Sequence, residues 1–277
     1  MLMYESGDTA TINAIVAAAG IPGKSVIKFA SANYQVQEVC EYLKRLGVKI
    51  EGIGLTTLSI TGKSNINKNI SYDVSEDPTD AMFFLAAAIV TRSELTIRRV
   101  PIDFMELELL KLEMMGFKYD IVKKYKGRNG VVRLVDIKTH VTKLVASPEK
   151  IYGRPFPGLN IDNLPFFAVI ATQAKGTTLI HDWAYEGRAL YFTELNKLGA
   201  NTLLADPHRV FVTGTTPLKA GDLTCPPALR PAAILLIAML GAKGVSTLRN
   251  ISSINRGYED SATKLSSLGA EISVFAG

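Results

Sequence analysis

One short pattern occurs four times along this chain: a Leu-Gly or Met-Gly pair followed by an extended, mainly apolar stretch. The four copies read Leu46-Gly47-Val48-Lys49-Ile50, Met115-Gly116-Phe117-Lys118-Tyr119, Leu198-Gly199-Ala200-Asn201-Thr202 and Leu268-Gly269-Ala270-Glu271-Ile272. Their glycines are separated by 69, 83 and 70 residues. A spacing this regular predicts one supersecondary unit that is repeated along the chain.

The residues around each glycine predict the same order of elements. The first unit has a small apolar helix, a β-branched strand, an amphipathic helix and two closing strands. These elements cover residues 10–19, 24–29, 35–46, 49–53 and 57–60. The glycine is expected in the left-handed conformation that ends many helices. With an opening strand from the preceding segment, each unit reads βαβαββ, and the fold class is α/β (α+β) with four units.

Composition and charge exclude several classes of protein. The 277 residues are 47% hydrophobic and 21% charged, which is typical of globular domains. The longest apolar run, 232–242, is shorter than the roughly 20 residues that cross a bilayer. No signal peptide is recognisable, so we expect a cytoplasmic protein without membrane contact. The net charge of +5 permits an anionic substrate. We interpret the basic run 123–128 as a solvated hairpin loop rather than a nucleic-acid contact.

The cysteine and histidine residues indicate neither a disulfide framework nor a metal site. Cys40 lies on the apolar stripe of a predicted helix and is expected in the core, and we expect Cys225 to be structural. His140, His181 and His208 are too scattered in the sequence to form a metal site. We therefore predict no metal and no cofactor.

Four motifs occur in an order that resembles one known family. They are Phe156-Pro157 to Asp162, Tyr185-Glu186-Gly187-Arg188, Ala228-Leu229-Arg230-Pro231-Ala232 and Arg256-Gly257-Tyr258-Glu259. Together they are similar to motifs of the UDP-N-acetylglucosamine 1-carboxyvinyltransferases, which belong to the enolpyruvyl transferases. The resemblance extends over essentially the whole chain. Ala228 and Asn255 depart from it, since the family has an aspartate at each of these positions.

The resemblance implies a fold of two domains, each built from three βαβαββ units, with substrates bound in the cleft between them. Residues 1–62 then correspond to the last unit of an incomplete first domain, and residues 63–277 to a second domain of three units. The chain therefore resembles an N-terminally truncated family member. The N-terminal half that the family has in addition, which includes the proton donor, is then expected either in a longer form of this chain or in a second chain.

The implied reaction moves an enolpyruvyl group from phosphoenolpyruvate to the 3-hydroxyl of UDP-N-acetylglucosamine, a step of peptidoglycan precursor synthesis. Asp162 matches the carboxylate that contacts the sugar hydroxyl, and the alternative for Asp162 is a helix N-cap. Arg230 and Arg256 match the arginines that hold phosphoenolpyruvate, for which guanidinium groups are well suited. Their alternatives are a structural salt bridge for Arg230 and a surface charge at a helix start for Arg256.

The resemblance also implies residues that bind the nucleotide sugar. They are Met3, Tyr4, Glu5, Ser6, Gly7, Ala184, Tyr185 and Arg188. Gly7 precedes a predicted helix, whose first N–H groups can bind phosphate. The expected partners are these two small molecules, with no nucleic acid and no membrane.

The sequence also permits other functions. A non-catalytic paralogue of the same fold could bind a nucleotide sugar or a protein partner. A 3-phosphoshikimate 1-carboxyvinyltransferase has the same fold, but Arg256-Gly257-Tyr258-Glu259 argues against it. An RNA 3′-phosphate cyclase has related repeats, but the chain has no suitable histidine motif and no strand face with basic and aromatic residues.

Overall fold

The computed structural model describes residues 1–275; residues 276 and 277, the last two of the predicted second domain, lie outside the described residues. The first 62 residues form two helices and a three-stranded antiparallel sheet. The elements are α1 (Asp8–Ala19), β1 (Gly23–Lys28), α2 (Tyr34–Arg45), β2 (Lys49–Glu51) and β3 (Thr57–Gly62). The strand order is β1-β3-β2, and Leu2 adds a parallel bridge to Lys28. The element order predicted for this segment is confirmed.

The second segment repeats this arrangement without an opening strand. Its elements are α3 (Pro78–Thr91), β4 (Thr96–Pro101), a short 3₁₀ helix (Ile102–Phe104), α4 (Glu106–Met114), β5 (Tyr119–Lys126) and β6 (Arg133–Thr139). The strand order β4-β6-β5 matches that of the first segment. The interpretation of 123–128 as a loop was wrong for residues 123–126, because they belong to β5, where they pair with β6.

The third segment has the same three-stranded order and two short opening strands. Its elements are β7 (Leu144–Val145), β8 (Ile151–Tyr152), α5 (Leu164–Ala171), β9 (Ala174–His181), a 3₁₀ helix (Arg188–Leu198), β10 (Asn201–Asp206) and β11 (Arg209–Gly214). β9, β11 and β10 are antiparallel neighbours, while β7 and β8 pair with β9 in parallel. The parallel pairs are connected through α5, as in a βαβ unit.

The last segment contains another parallel pair, β12 (Asp222–Thr224) and β13 (Thr247–Arg249), but no closing antiparallel strands among the described residues. Its helices are α6 (Leu229–Leu240), α7 (Ser252–Asn255) and α8 (Ser261–Ser267). The strand predicted after Gly269 was wrong, since residues 270–275 are in no strand. A strand needs a hydrogen-bonded neighbour, and the described residues supply none there. The count of four equivalent units therefore stays a prediction.

The repeated glycines have the backbone conformation that was predicted for them. Their φ angles are +91° at Gly47, +90° at Gly116, +82° at Gly199 and +98° at Gly269. Glycine adopts this left-handed region without steric strain because it has no Cβ atom. The glycine of each repeated Leu-Gly or Met-Gly pair can therefore end the preceding helix.

Two separate groups of buried apolar residues form the interior. One extends over residues 3–60 and contains Cys40, and the other extends over residues 81–265 and contains Cys225. In the larger group α3, α5 and α6 pack against one another, and all eight residues of α5 are buried. A helix that is apolar on every side belongs in a core. Within residues 1–275, no helix combines the length and the hydropathy of a membrane span.

Candidate functional site

The site is built where the three central helices begin. Asp77 is the N-cap of α3, Asn163 is the N-cap of α5, and Arg230 is the second residue of α6. Because these helices pack together, residues at their starts come close to one another. The first turns of helices carry unpaired N–H groups and a partial positive charge, which favour anions. The repeat thus brings equivalent positions of different segments to one place.

Asp162 lies between two arginines. Its Oδ1 is 3.6 Å from Nη1 of Arg188, and its Oδ2 is 3.8 Å from Nη2 of Arg230. Both distances exceed that of a hydrogen bond. The carboxylate is 36% exposed, whereas the two arginine side chains are 9% and 12% exposed. The arrangement therefore offers an accessible carboxylate that is flanked by two fixed cations.

Arg188 is held by a buried carboxylate at the end of β9. Asp182 is fully buried and accepts hydrogen bonds from Nε and Nη2 of Arg188, the latter at 2.9 Å. Nη2 also donates to the carbonyl of Ile161 at 2.8 Å. Burial raises the pKa of the Asp182 carboxyl, and its hydrogen bonds with Arg188 oppose that shift. With Nε and Nη2 occupied, Arg188 directs Nη1 to Asp162, while its guanidinium stacks over Tyr185 at 4.3 Å.

Arg230 is held by Tyr258, a residue of the predicted closing motif. Nη1 of Arg230 donates to the Tyr258 hydroxyl at 2.7 Å, and the Tyr258 ring packs against Phe83 with a centroid distance of 4.7 Å. Burial by itself would lower the pKa of Arg230, but Tyr258, Asp162 and Asp77 together outweigh burial, so the pKa is raised. Burial raises the pKa of Tyr258, and Arg230 opposes that shift. The Arg230 cation is thus fixed beside Asp162.

Tyr34 brings the first segment to the same place. Its hydroxyl donates to Oδ1 of Asp77 at 3.1 Å, and its ring packs against Phe104 at 5.9 Å. Burial raises the pKa of Tyr34, and the Asp77 carboxylate raises it further. Burial also raises the pKa of Asp80 in the first turn of α3. Asp77 and Asp80 line a neighbouring cavity of about 450 Å³ beside β4.

A family model described as EPSP synthase (3-phosphoshikimate 1-carboxyvinyltransferase) matches residues 3–265. The chain belongs to this family.

Its curated relatives include UDP-N-acetylglucosamine 1-carboxyvinyltransferases. Those of Bacteroides fragilis and Bacteroides thetaiotaomicron are 34% and 33% identical to it over 275 residues. These alignments cover 98% of this chain and 62% of each relative. The chain thus spans less than two thirds of the length of these family members.

Solved structures of enolpyruvyl transferases share the fold. The enolpyruvyl transferase NikO from Streptomyces tendae is 26% identical and superposes with a TM-score of 0.81, covering 95% of this chain and 60% of NikO. An EPSP synthase from Acinetobacter baumannii is 16% identical with a TM-score of 0.79, covering 100% of this chain and 63% of that one. At that identity the second comparison supports the fold alone. The predicted enolpyruvyl transferase fold is confirmed.

The structure brings together some of the predicted catalytic residues. Asp162 and Arg230 form an ion pair, but Arg256 is exposed directly after α7, and its side chain has no hydrogen bond or ion pair within residues 1–275. Its proposed contact with phosphoenolpyruvate stays a prediction. The N-cap interpretation of Asp162 was wrong, because the N-cap of α5 is Asn163. Asp162 therefore stays available for another role.

The predicted nucleotide-sugar residues lie in two places. Tyr185 and Arg188 are in contact, and Ala184 is the preceding, partly exposed residue. Residues 3–7 lead into α1, with Gly7 as its N-cap. The side chain of Met3 is in the core, Tyr4 and Glu5 are exposed, and Ser6 is partly exposed. Asp8 in the first turn of α1 is among the charges that raise the pKa of Tyr185, after burial and Asp162.

Four residues that build the site are not among the residues predicted from the sequence. They are Tyr34, Asp77, Glu108 and Asp182. Asp77 had a recognisable signal, since an aspartate before Pro78 is typical of a helix start. The roles of Tyr34 and Glu108 depend on contacts between residues far apart in the sequence, and no local pattern indicates such contacts. Asp182 pairs with Arg188, which is close in the sequence, but no recognisable motif indicated that pair.

Proposed function

We propose that this chain takes part in transferring the enolpyruvyl group of phosphoenolpyruvate to the 3-hydroxyl of UDP-N-acetylglucosamine. The observation that carries the proposal is the accessible Asp162 carboxylate between Arg188 and Arg230. The relatives bearing that activity in their names, at 34% and 33% identity, support the choice of substrates.

The chemistry of a carboxylate flanked by arginines fits this reaction. The sugar hydroxyl must lose its proton as it attacks phosphoenolpyruvate, and an accessible carboxylate can orient the hydroxyl and accept that proton. Phosphoenolpyruvate carries a phosphate and a carboxylate, which guanidinium groups bind through charge-assisted hydrogen bonds. Arg230 is fixed by Tyr258 and needs little reorganisation when negative charge develops. Arg256 is a second proposed contact to phosphoenolpyruvate.

The nucleotide part of the substrate would lie beside these groups. Tyr185 is 49% exposed and stacks with Arg188, so its free face can contact a nucleotide sugar. Gly7 at the start of α1 adds N–H groups that suit a diphosphate. We include residues 3–7 and Ala184 in this proposed subsite.

The test is a phosphate-release assay on the purified chain with phosphoenolpyruvate and UDP-N-acetylglucosamine, accompanied by titration calorimetry with each substrate. Asp162→Asn keeps the size of the side chain but removes the base, so turnover should fall by roughly 100-fold or more. Asp222→Asn is the matched control, because Asp222 also pairs with an arginine but lies on the surface. Its turnover should equal that of the unchanged chain.

Three other outcomes would change or contradict the proposal. Turnover with shikimate 3-phosphate in place of the nucleotide sugar would replace the proposed acceptor. Binding of UDP-N-acetylglucosamine without phosphate release would support the non-catalytic binding module. Equal turnover of Asp162→Asn and Asp222→Asn would contradict the role of Asp162.

A further inference from the structure

Glu108 is a buried carboxylate with an unusual environment. It lies in α4, is 2% exposed, and has no cation within salt-bridge distance among residues 1–275. Burial raises the pKa of Glu108, and hydrogen bonds from Asn163 and Asn160 oppose the shift. A buried carboxylate without a cation costs free energy, so its hydrogen bonds must be favourable.

Both of these hydrogen bonds come from the turn that carries Asp162. Oε1 of Glu108 accepts the backbone N–H of Asn160 at 3.0 Å and the side-chain amide of Asn163 at 2.9 Å. Within the turn, Oδ1 of Asn160 accepts the N–H of Asp162 at 2.9 Å, and the N–H of Asn163 donates to the Asn160 carbonyl at 2.9 Å. One oxygen of α4 therefore holds the residues on both sides of Asp162.

This anchoring determines where the Asp162 carboxylate lies. Within residues 1–275, the polar contacts of the Asp162 side chain are long, at 3.6 Å to Arg188 and 3.8 Å to Arg230. Such contacts do not fix a turn by themselves, whereas two hydrogen bonds to one buried carboxyl oxygen do. We propose that Glu108 is a positioning residue, which holds the 160–163 turn so that Asp162 faces the acceptor hydroxyl. The inference rests on the proposed function.

The test compares three variants of α4 in the full chain. Glu108→Gln keeps an oxygen that can accept both hydrogen bonds, whereas Glu108→Leu removes the acceptor. Glu106→Gln is the matched control, because Glu106 is on the same helix but 65% exposed. The first readout is amide hydrogen exchange at Asn160. We expect exchange to be roughly 10-fold faster in Glu108→Leu than in Glu108→Gln or Glu106→Gln, relative to amides of α5.

The second readout is the kinetics of phosphate release. In Glu108→Leu, kcat should fall by roughly 10- to 100-fold through misplacement of Asp162, with the KM for phosphoenolpyruvate within about 2-fold. Glu108→Gln should retain kcat within about 3-fold, since the acceptor oxygen remains. If Glu108 contributed to stability alone, Glu108→Leu would yield less folded protein, but kcat per folded molecule would not fall.

Two results would overturn the inference. One is unchanged exchange at Asn160 in Glu108→Leu, and the other is a kcat of folded Glu108→Leu equal to that of Glu106→Gln. If the unchanged chain releases no phosphate, the proposed function fails by itself. The exchange at Asn160 then still decides whether Glu108 holds the turn of Asp162.

Discussion

Replacing Asp182 with asparagine should destabilise the protein strongly. Asp182 is completely buried, and the Arg188 side chain that it binds is only 9% exposed. The substitution keeps the size of the side chain but leaves the guanidinium without its buried counter-charge. Removing one partner of a buried ion pair costs roughly 3–5 kcal/mol, because the other charge stays desolvated. Asp162 compensates little, since it is 3.6 Å from Arg188 and partly exposed.

Urea unfolding of Asp182→Asn measures this loss of free energy directly, and thermal unfolding should show a decrease in Tm of roughly 6 °C or more. Asp222→Asn is again the matched control. Asp222 accepts two hydrogen bonds from Arg249 at 2.8 and 2.6 Å, so it has the same bidentate geometry on the surface. Solvent screens an exposed pair, and its loss should cost far less. Equal unfolding midpoints for the two variants would refute the reasoning.

Two further predictions concern other parts of the site. Because the pKa of Glu108 is raised in the folded state, its contribution to stability is greatest at low pH and is lost as the pH rises through the folded pKa. Glu108→Gln should therefore gain stability relative to the unchanged chain as the pH rises above the ordinary glutamate pKa of roughly 4, measured by urea unfolding, and a constant difference would contradict this. Tyr34→Phe loses the hydrogen bond to Asp77 and should cost about 1 kcal/mol by urea unfolding. Tyr4→Phe is its control, because Tyr4 is fully exposed, and an equal effect of both variants would contradict the role of that bond.

Sequence patterns predicted the elements that depend on local physics. Apolar periodicity predicted the helix observed at residues 8–19 and the strand pair β2 and β3. Gly47 marked the end of the helix before β2, because a φ of +91° is favourable only for a residue without a side chain. Strand pairing at residues 270–275 could not be predicted in this way, because it depends on a neighbour that is distant in the sequence. The same distinction applies to the basic run in β5, where charge alone suggested a loop.

The sequence predicted those site residues that belong to a recognisable motif. Asp162 and Arg230 were selected from family motifs, and the structure brings them to 3.8 Å. Glu108 could not be selected, because a glutamate on a helix is usually exposed and nothing in its own segment indicates that 52 residues later Asn160 would donate to it. Tyr34 was missed for the same reason, since Asp77 is 43 residues away.

The two separate apolar cores have a consequence for how the protein opens. Each core can act as a cooperative unit with its own free energy of opening, which native-state hydrogen exchange resolves. The site takes Tyr34 from the first unit and Asp77 from the second. A ligand that contacts both units would bind only when both are folded. Binding would then raise the free energy of opening of each unit by the same amount, which depends on the ligand concentration and on Kd. Ligand binding would then be measurable as slower hydrogen exchange throughout both cores, including amides of residues that do not touch the ligand.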